Sequence, residues 1–479
     1  MSLKLKTIYG FVWNAADAIF VKGLTFLVML ILARWLGPAE FGLIGMIAVF
    51  IAMGRALVDS GMTSSLIRAQ ETNSLDYTSV FYANLGMSTL VYAILYVLAP
   101  FIANFYNQEI LVDVIRVYCL IFVLSALSAV QLALITKHME FKKLVLFNMP
   151  STILGALIGL LLAYKGYGVW SIVFMHITTQ ILLTILLWIN SSWKPNFAFS
   201  KEKFGFHYNF GYKLMLSTLI DTVFKNSYNV IIGKFFPIQT LGHYERAQRF
   251  NDYPSVTLTG VIDKVTYPML SKLQDNKSKL SEVYARLLQL TFFLMAPLML
   301  GGAAISRPLF EMVLGEQWLP AVPFFKILSL AALLYPVHAF NLNILKVYGR
   351  SDLFLKLELL KKAFLALGIV VGFQFGIYGL VWSSVFASVF SLLINTFYSG
   401  SMMAYSTKNQ LMDMVPILLL TGLLFLVMSY SINLMQDYSN LTQISVALAV
   451  GVLFYFTIGF LFKLRPMVHL LTIIKTRKL

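Results

Sequence analysis

Apolar stretches of about twenty residues, separated by short polar turns, follow one another from residue 10 to residue 462. A hydrocarbon layer ~30 Å thick needs roughly 20 helical residues to cross it. The pattern therefore predicts fourteen helical spans, at roughly 10–34, 40–65, 77–103, 111–135, 143–164, 168–190, 210–234, 240–270, 282–304, 322–345, 354–375, 378–400, 411–431 and 441–462. The longest connections are 191–209 and 305–321. No soluble domain of useful size is left over. The fold class expected is an all-α polytopic membrane protein of about 14 transmembrane helices.

Composition agrees. Of 479 residues, 59% are hydrophobic and 12% charged, against about 25% charged in ordinary soluble domains, and the mean hydropathy is +0.77. The start "MSLKLKTIYG" is basic and short, but Asp17 and Lys22 follow it and no small-residue cleavage site does, so no cleavable signal peptide is expected. A single cysteine, Cys119, excludes an intramolecular disulfide. The histidines 138, 176, 207, 243, 338 and 469 are scattered, with no helical pair, so neither a metal site nor a cofactor is expected. A net charge of +16 would point to nucleic acid in a soluble protein. Here the lysines and arginines gather in alternate connections, and the opposite ones hold Arg34, Lys165, Lys234 and Arg307. The positive-inside rule then puts both termini in the cytoplasm. No nucleic-acid partner is implied.

The chain repeats itself. "ILARWLGPAEFG" (31–42) returns in character as "IIGKFFPIQTLG" (231–242), with Arg34 against Lys234 and Gly42 against Gly242. Ala99-Pro100 answers Ala296-Pro297, Arg116 answers Lys326, and Tyr167-Gly168 answers Tyr378-Gly379. The order predicts an N-lobe at 1–192 (spans 1–6), a cytoplasmic linker at 193–209 and a C-lobe at 210–402 (spans 7–12). Residues 403–479 hold two further spans and a basic tail. Six spans per unit is even, so the lobes share one orientation around a central cavity, a parallel repeat.

An ionisable side chain at membrane depth is costly unless it has a partner or faces water, which makes each one a functional candidate. Lys22 and Arg55 lie within spans 1 and 2, Lys225 within span 7, and Arg246 and Arg249 within span 8. These spans are repeat equivalents. Clustered cations suit an anion, above all a phosphate or diphosphate. Asn229 could hydrogen-bond sugar hydroxyls or glue helices together. Asp59 lies four residues from Arg55 and Asp221 four from Lys225, with Asp17 near Lys22. These acids are pairing partners for the cations, or carriers of a coupling ion. Span 8, "HYERAQRFNDYPSVTLTGVIDKVTYPML", is too polar to face lipid and must line water or be wrapped by protein. Pro254 is expected to kink it. No nucleotide-binding or hydrolytic motif is present, so neither an enzyme nor an ATP-driven pump is expected.

Several stretches match a known family: "MSLKLKTIYGFVWNA" at the N-terminus, "LARWLGPAEFGL" (32–43), "DSGMTSSLIR" (59–68), "LGHYERAQRF" (241–250), "YPMLSKLQD" (267–275) and "VLGEQW" (313–318). On these the chain resembles Wzx-type oligosaccharide flippases of the multidrug/oligosaccharidyl-lipid/polysaccharide exporter superfamily, and within them the colanic acid exporter-like proteins. The resemblance implies two six-helix lobes, two extra helices and alternating access. It implies a monomer moving an undecaprenyl-diphosphate-linked glycan across the membrane for exopolysaccharide or lipopolysaccharide synthesis, with polysaccharide polymerase machinery as a candidate partner. A cation-coupled multidrug antiporter of the same superfamily is the alternative, and it would need acids to dominate the cavity. Lys22 and Arg55 fall outside the matching motifs, so their role is read from span position alone.

Overall fold

A computed structural model describes residues 3–59 and 61–476, apart from the side chains of 3–12, 14–19, 257–258, 261–265 and 473–476. Asp17 thus lies outside the described side chains. Two compact units divide the chain, Met1–Gly242 and His243–Leu479. Every regular element among the described residues is a helix.

The first unit holds α1 (Leu3–Leu36), α2 (Pro38–Asp59), α3 (Met62–Arg68), α4 (Ser74–Tyr106), α5 (Leu111–Tyr118), α6 (Leu120–Lys137), α7 (Phe141–Tyr164), α8 (Trp170–Ile189), α9 (Lys201–Lys225) and α10 (Ser227–Phe235). Its last residues open α11 (Ile238–Ser271), which continues into the second unit. There follow α12 (Lys277–Ala304), α13 (Ser306–Leu314), a single 3-10 turn, α14 (Ala321–Ala332), α15 (Tyr335–Val347), α16 (Ser351–Phe373), α17 (Gly376–Met402), α18 (Thr407–Leu434), α19 (Asn440–Leu461) and α20 (Arg465–Thr476).

Helices stand at each of the fourteen expected positions, four of them as broken pairs: α2–α3, α5–α6, α9–α10 and α14–α15. Gly61, at φ 66°, breaks the first pair, a left-handed conformation that glycine alone takes freely. At Asn226 the side-chain Nδ2 donates to the Thr222 carbonyl, 2.8 Å away, and competes with the helix ladder. Pro336 has no N–H to continue the helix from α14 into α15. Nothing in the local sequence explains the break at Cys119. Pro254 and Pro268 sit inside α11, which is one continuous element.

Ten helices or collinear pairs are long and apolar enough to cross a membrane among the described residues. The exceptions are α1, α9–α10, α11 and α16. Most of the ten expose a stripe of large apolar side chains at helical spacing: Leu90, Ile94, Val97 and Phe101 on α4, and Phe386, Val389, Leu393 and Phe397 on α17. Such a stripe is what lipid requires.

Within the first unit, alternate connections meet at opposite ends. At one end Glu40 lies against Gly168, Trp35 against Tyr164 (6.3 Å between rings), and Lys234 donates to the Phe105 carbonyl. At the other, Lys137 donates to Thr72, Lys203 pairs with Asp76, and the Ser200 N–H donates to Ser79 Oγ, 3.0 Å away. That second end is rich in lysine and is built on Asn73, whose capping box opens α4.

The opening junction and its echo touch. A methyl group at Gly42 would fall on the carbonyl oxygen of Ile238, and one at Gly242 on the carbonyl oxygen of Pro38. Positions 38 and 42 thus meet 238 and 242 crosswise, the exchange of partners that a twofold relation produces. Helices α2 and α11 approach here by backbone, and only glycine permits it. Gly42→Ala and Gly242→Ala should each destabilise by about 1–3 kcal/mol. Gly86→Ala, with nothing within 4 Å, should not. Thermal unfolding of the purified protein in detergent checks all three.

Candidate functional site

Helix α2 buries Phe41, Leu43, Met46, Ile47, Val49 and Ile51. Its opposite face runs Ala48, Ala52, Arg55, Asp59 at helical spacing, with Arg55 and Asp59 exposed. This face has none of the large apolar residues of the lipid-facing stripes. It is small and charged, which suits water.

Helix α9 is less embedded still. Of its 25 residues only His207 and Gly211 are buried, while Ser217, Thr218, Asp221 and Lys225 are exposed. After the break at Asn226, α10 goes back into the unit and buries Tyr228, Asn229, Ile232 and Gly233. Lys22 is exposed on α1. Among the described residues, Lys22, Arg55 and Lys225 form no ion pair, so the expected pairs of Arg55 with Asp59 and Lys225 with Asp221 are not made. Three cations of the first unit are therefore open to an outside anion.

The two cations of span 8 part company in the second unit. Arg249 is exposed and lies 3.5 Å from the Glu245 carboxylate through its Nε. Arg246, only 6% exposed, lies over the Trp318 ring, 5.5 Å from its centroid. His243 stands edge-on to the same ring and donates from Nε2 to the Gln317 carbonyl, 3.0 Å away. Hence "HYER" on α11 and "EQW" after α13 are one packed structure, with a fully buried indole at its centre. Charge at membrane depth drew attention to Arg246, but the neighbouring indole accounts for its burial.

The polarity of α11 has a similar cause. Asn251 Nδ2 donates to the Phe325 carbonyl on α14, and Ser329 donates to Asn251 Oδ1 at 2.8 Å. On this side α11 is wrapped by protein, one of the two outcomes expected from its sequence. On α16, Lys361 is paired with Glu358 and mostly buried, rather than extended to the interface.

Residues 31–323 match a family model described as polysaccharide biosynthesis protein. The chain belongs to that family. The match includes Arg55, Lys225 and both halves of the Trp318 cluster, and begins after Lys22. Over 319 residues the family chain is 27% identical to the succinoglycan biosynthesis transport protein ExoT of Rhizobium meliloti (strain 1021), covering 67% of itself and 65% of that protein. It is 24% identical over 400 residues to the lipopolysaccharide biosynthesis protein WzxC of Escherichia coli (strain K12), covering 83% and 81%. Among solved structures it resembles a lipid II flippase, MurJ, in an inward closed conformation, with TM-score 0.71 at 13% identity over 95% of this chain and 98% of that one. An inward-facing multidrug resistance MATE family transporter gives TM-score 0.60 at 15% identity, over 82% and 98%. The fold is thus that of an all-α polytopic membrane protein.

Trp318→Ala should cost about 3–5 kcal/mol through the cavity left in the second unit. Arg246→Ala should also destabilise, whereas Arg249→Ala should stay within about 0.5 kcal/mol of the parent. Chemical or thermal unfolding separates the packed arginine from the exposed one.

Proposed function

We propose that this family member carries a prenyl-diphosphate-linked glycan across a bacterial inner membrane, exposing one site alternately to the two sides. The carrying observation is the set of three exposed cations, Lys22, Arg55 and Lys225, that no carboxylate of the described structure neutralises. A diphosphate offers oxygens to a guanidinium fork and to ammonium groups. Relatives that serve succinoglycan transport and lipopolysaccharide biosynthesis, and the fold shared with a lipid II flippase, support the same substrate class.

Asp59 and Asp221, each four residues from one of these cations, are the candidate carriers of a coupling ion. Arg249, paired with Glu245 in the second unit, is not among these three. Asn229 and Arg246, both buried, are assigned to packing. The lysine-rich end, with both termini, is assigned to the cytoplasm, and residues 1–192 and 210–402 to two duplicated lobes. The likeness to a MATE transporter keeps a second reading, export of an organic cation, open to the same test.

Binding of a prenyl diphosphate, followed by native mass spectrometry, should weaken at least tenfold in Arg55→Ala and in Lys225→Ala, with unfolding temperature unchanged. Arg55→Lys should fall between, because it keeps charge and loses the fork. Equal binding by the Arg55→Ala, Lys225→Ala double variant, or preference for an organic cation, would overturn the proposal.

A further inference from the structure

The first turns of α9 are fastened by one buried polar cluster. His207 is fully buried, with Nδ1 2.8 Å from Ser65 Oγ on α3 and Nε2 3.3 Å from Asp76 Oδ1 on α4. Lys203, one turn before His207, reaches the same carboxylate oxygen at 3.3 Å. The other oxygen accepts the Asn73 N–H at 2.9 Å. Gly211, one turn on, abuts the backbone of Gly61. Beyond it α9 buries nothing more before Asn226. Whatever loosens this cluster therefore loosens the whole helix up to Lys225.

We propose that Ser65, Asp76, Lys203 and His207 form a proton-binding latch, in which a proton taken up at His207 Nδ1 frees the first turns of α9 from α3 and α4.

The hydrogen bonds select a neutral imidazole. Nε2–H donates to Asp76, and Nδ1 accepts the Ser65 hydroxyl. A second proton has only Nδ1 to occupy. There it faces the Ser65 O–H, which must turn away. Charge opposes it as well. Asp76 is already balanced by Lys203, so protonation leaves a net positive charge in a buried site. The other charged groups nearby do not help. Lys137 of α6, on Thr72, is a further cation, Arg68 of α3 lies over the Phe210 ring, and α2 presents Arg55 and Asp59 on its exposed face. Burial accordingly pushes His207 below its ordinary 6.5, and Lys203 and Lys137 add to the effect against the pull of Asp76.

The sign follows. Above about pH 6.5 the imidazole is neutral latched or free, and the latch has its full strength. Below it the freed histidine takes up a proton that the latched one refuses, so the latch weakens as pH falls. The proton comes from water at the lysine-rich end and returns there on closing. The role in a transport cycle rests on the proposed function, since α9 leads from the latch to Asp221 and Lys225. The latch itself needs no substrate.

Amide hydrogen exchange of residues 201–211 in the full chain in nanodiscs, normalised for the intrinsic pH dependence of exchange, reads it directly. Protection should fall about tenfold between about pH 7.5 and pH 5.5. His207→Gln, a neutral mimic able to bridge Ser65 and Asp76, should stay protected throughout. Ser65→Ala, which weakens only the closed state, should move the midpoint to higher pH and decides the matter if the glutamine variant does not fold. A flat wild-type profile, or an equal loss in His207→Gln, overturns the latch. Neither result depends on what is transported, so failure of the transport proposal would be seen separately.

Discussion

A hydrocarbon layer offers a peptide group no hydrogen bond, and the whole chain is organised by that refusal. Each unsatisfied backbone group at membrane depth costs several kcal/mol, so every crossing segment must close its own ladder. Fourteen helical columns result, four of them as broken pairs. At the break after α9 the Thr222 carbonyl keeps its bond from the Asn226 N–H and accepts the Asn226 side chain as well. Where helices must come closer than side chains allow, the glycines at 42 and 242 let the start of α2 and the start of α11 meet by backbone.

The same constraint sorts the surface. Exposed leucines, valines and phenylalanines on α4 and α17 are what lipid tolerates. Exposed Arg55 and Asp59 on α2, and Asp221 and Lys225 on α9, are what it does not. Elsewhere polar residues are drawn inside, Asn251 bonded to Ser329 and Phe325, and Arg246 lying over the face of Trp318. What is left over is a small set of cations on three helices of one unit, Lys22 on α1, Arg55 on α2 and Lys225 on α9, with a buried, titratable anchor at the foot of the last.

Span existence and order were legible in the sequence because twenty-residue apolar runs have few other uses. The break at Cys119 was not, since no glycine or proline marks it, whereas Gly61, Asn226 and Pro336 do stand at the other three. Among the candidate residues, position in a span was a fair guide to charge at membrane depth but not to which way a side chain points. Arg246 and Arg249 are three apart on one helix, and one is buried while the other is exposed. The difference lies in Trp318, some seventy residues on, which periodicity does not bring to mind. His207 escaped notice for the same reason. A lone histidine beside a basic linker looks unremarkable until Ser65 and Asp76, both more than a hundred residues away, close around it.

The central claim is that this membrane protein moves a large anionic lipid and not a small organic cation. Reconstitution into sealed vesicles tests it most directly, with a prenyl-diphosphate-linked oligosaccharide placed in one leaflet. Its exposure in the other is followed by a membrane-impermeant glycan-cleaving reagent, and uptake of a cationic dye is followed in parallel. The account predicts that the glycan becomes cleavable only when the protein is present, that Arg55→Ala with Lys225→Ala abolishes this, and that the dye stays where it was. Dye accumulation with the glycan immobile would contradict it.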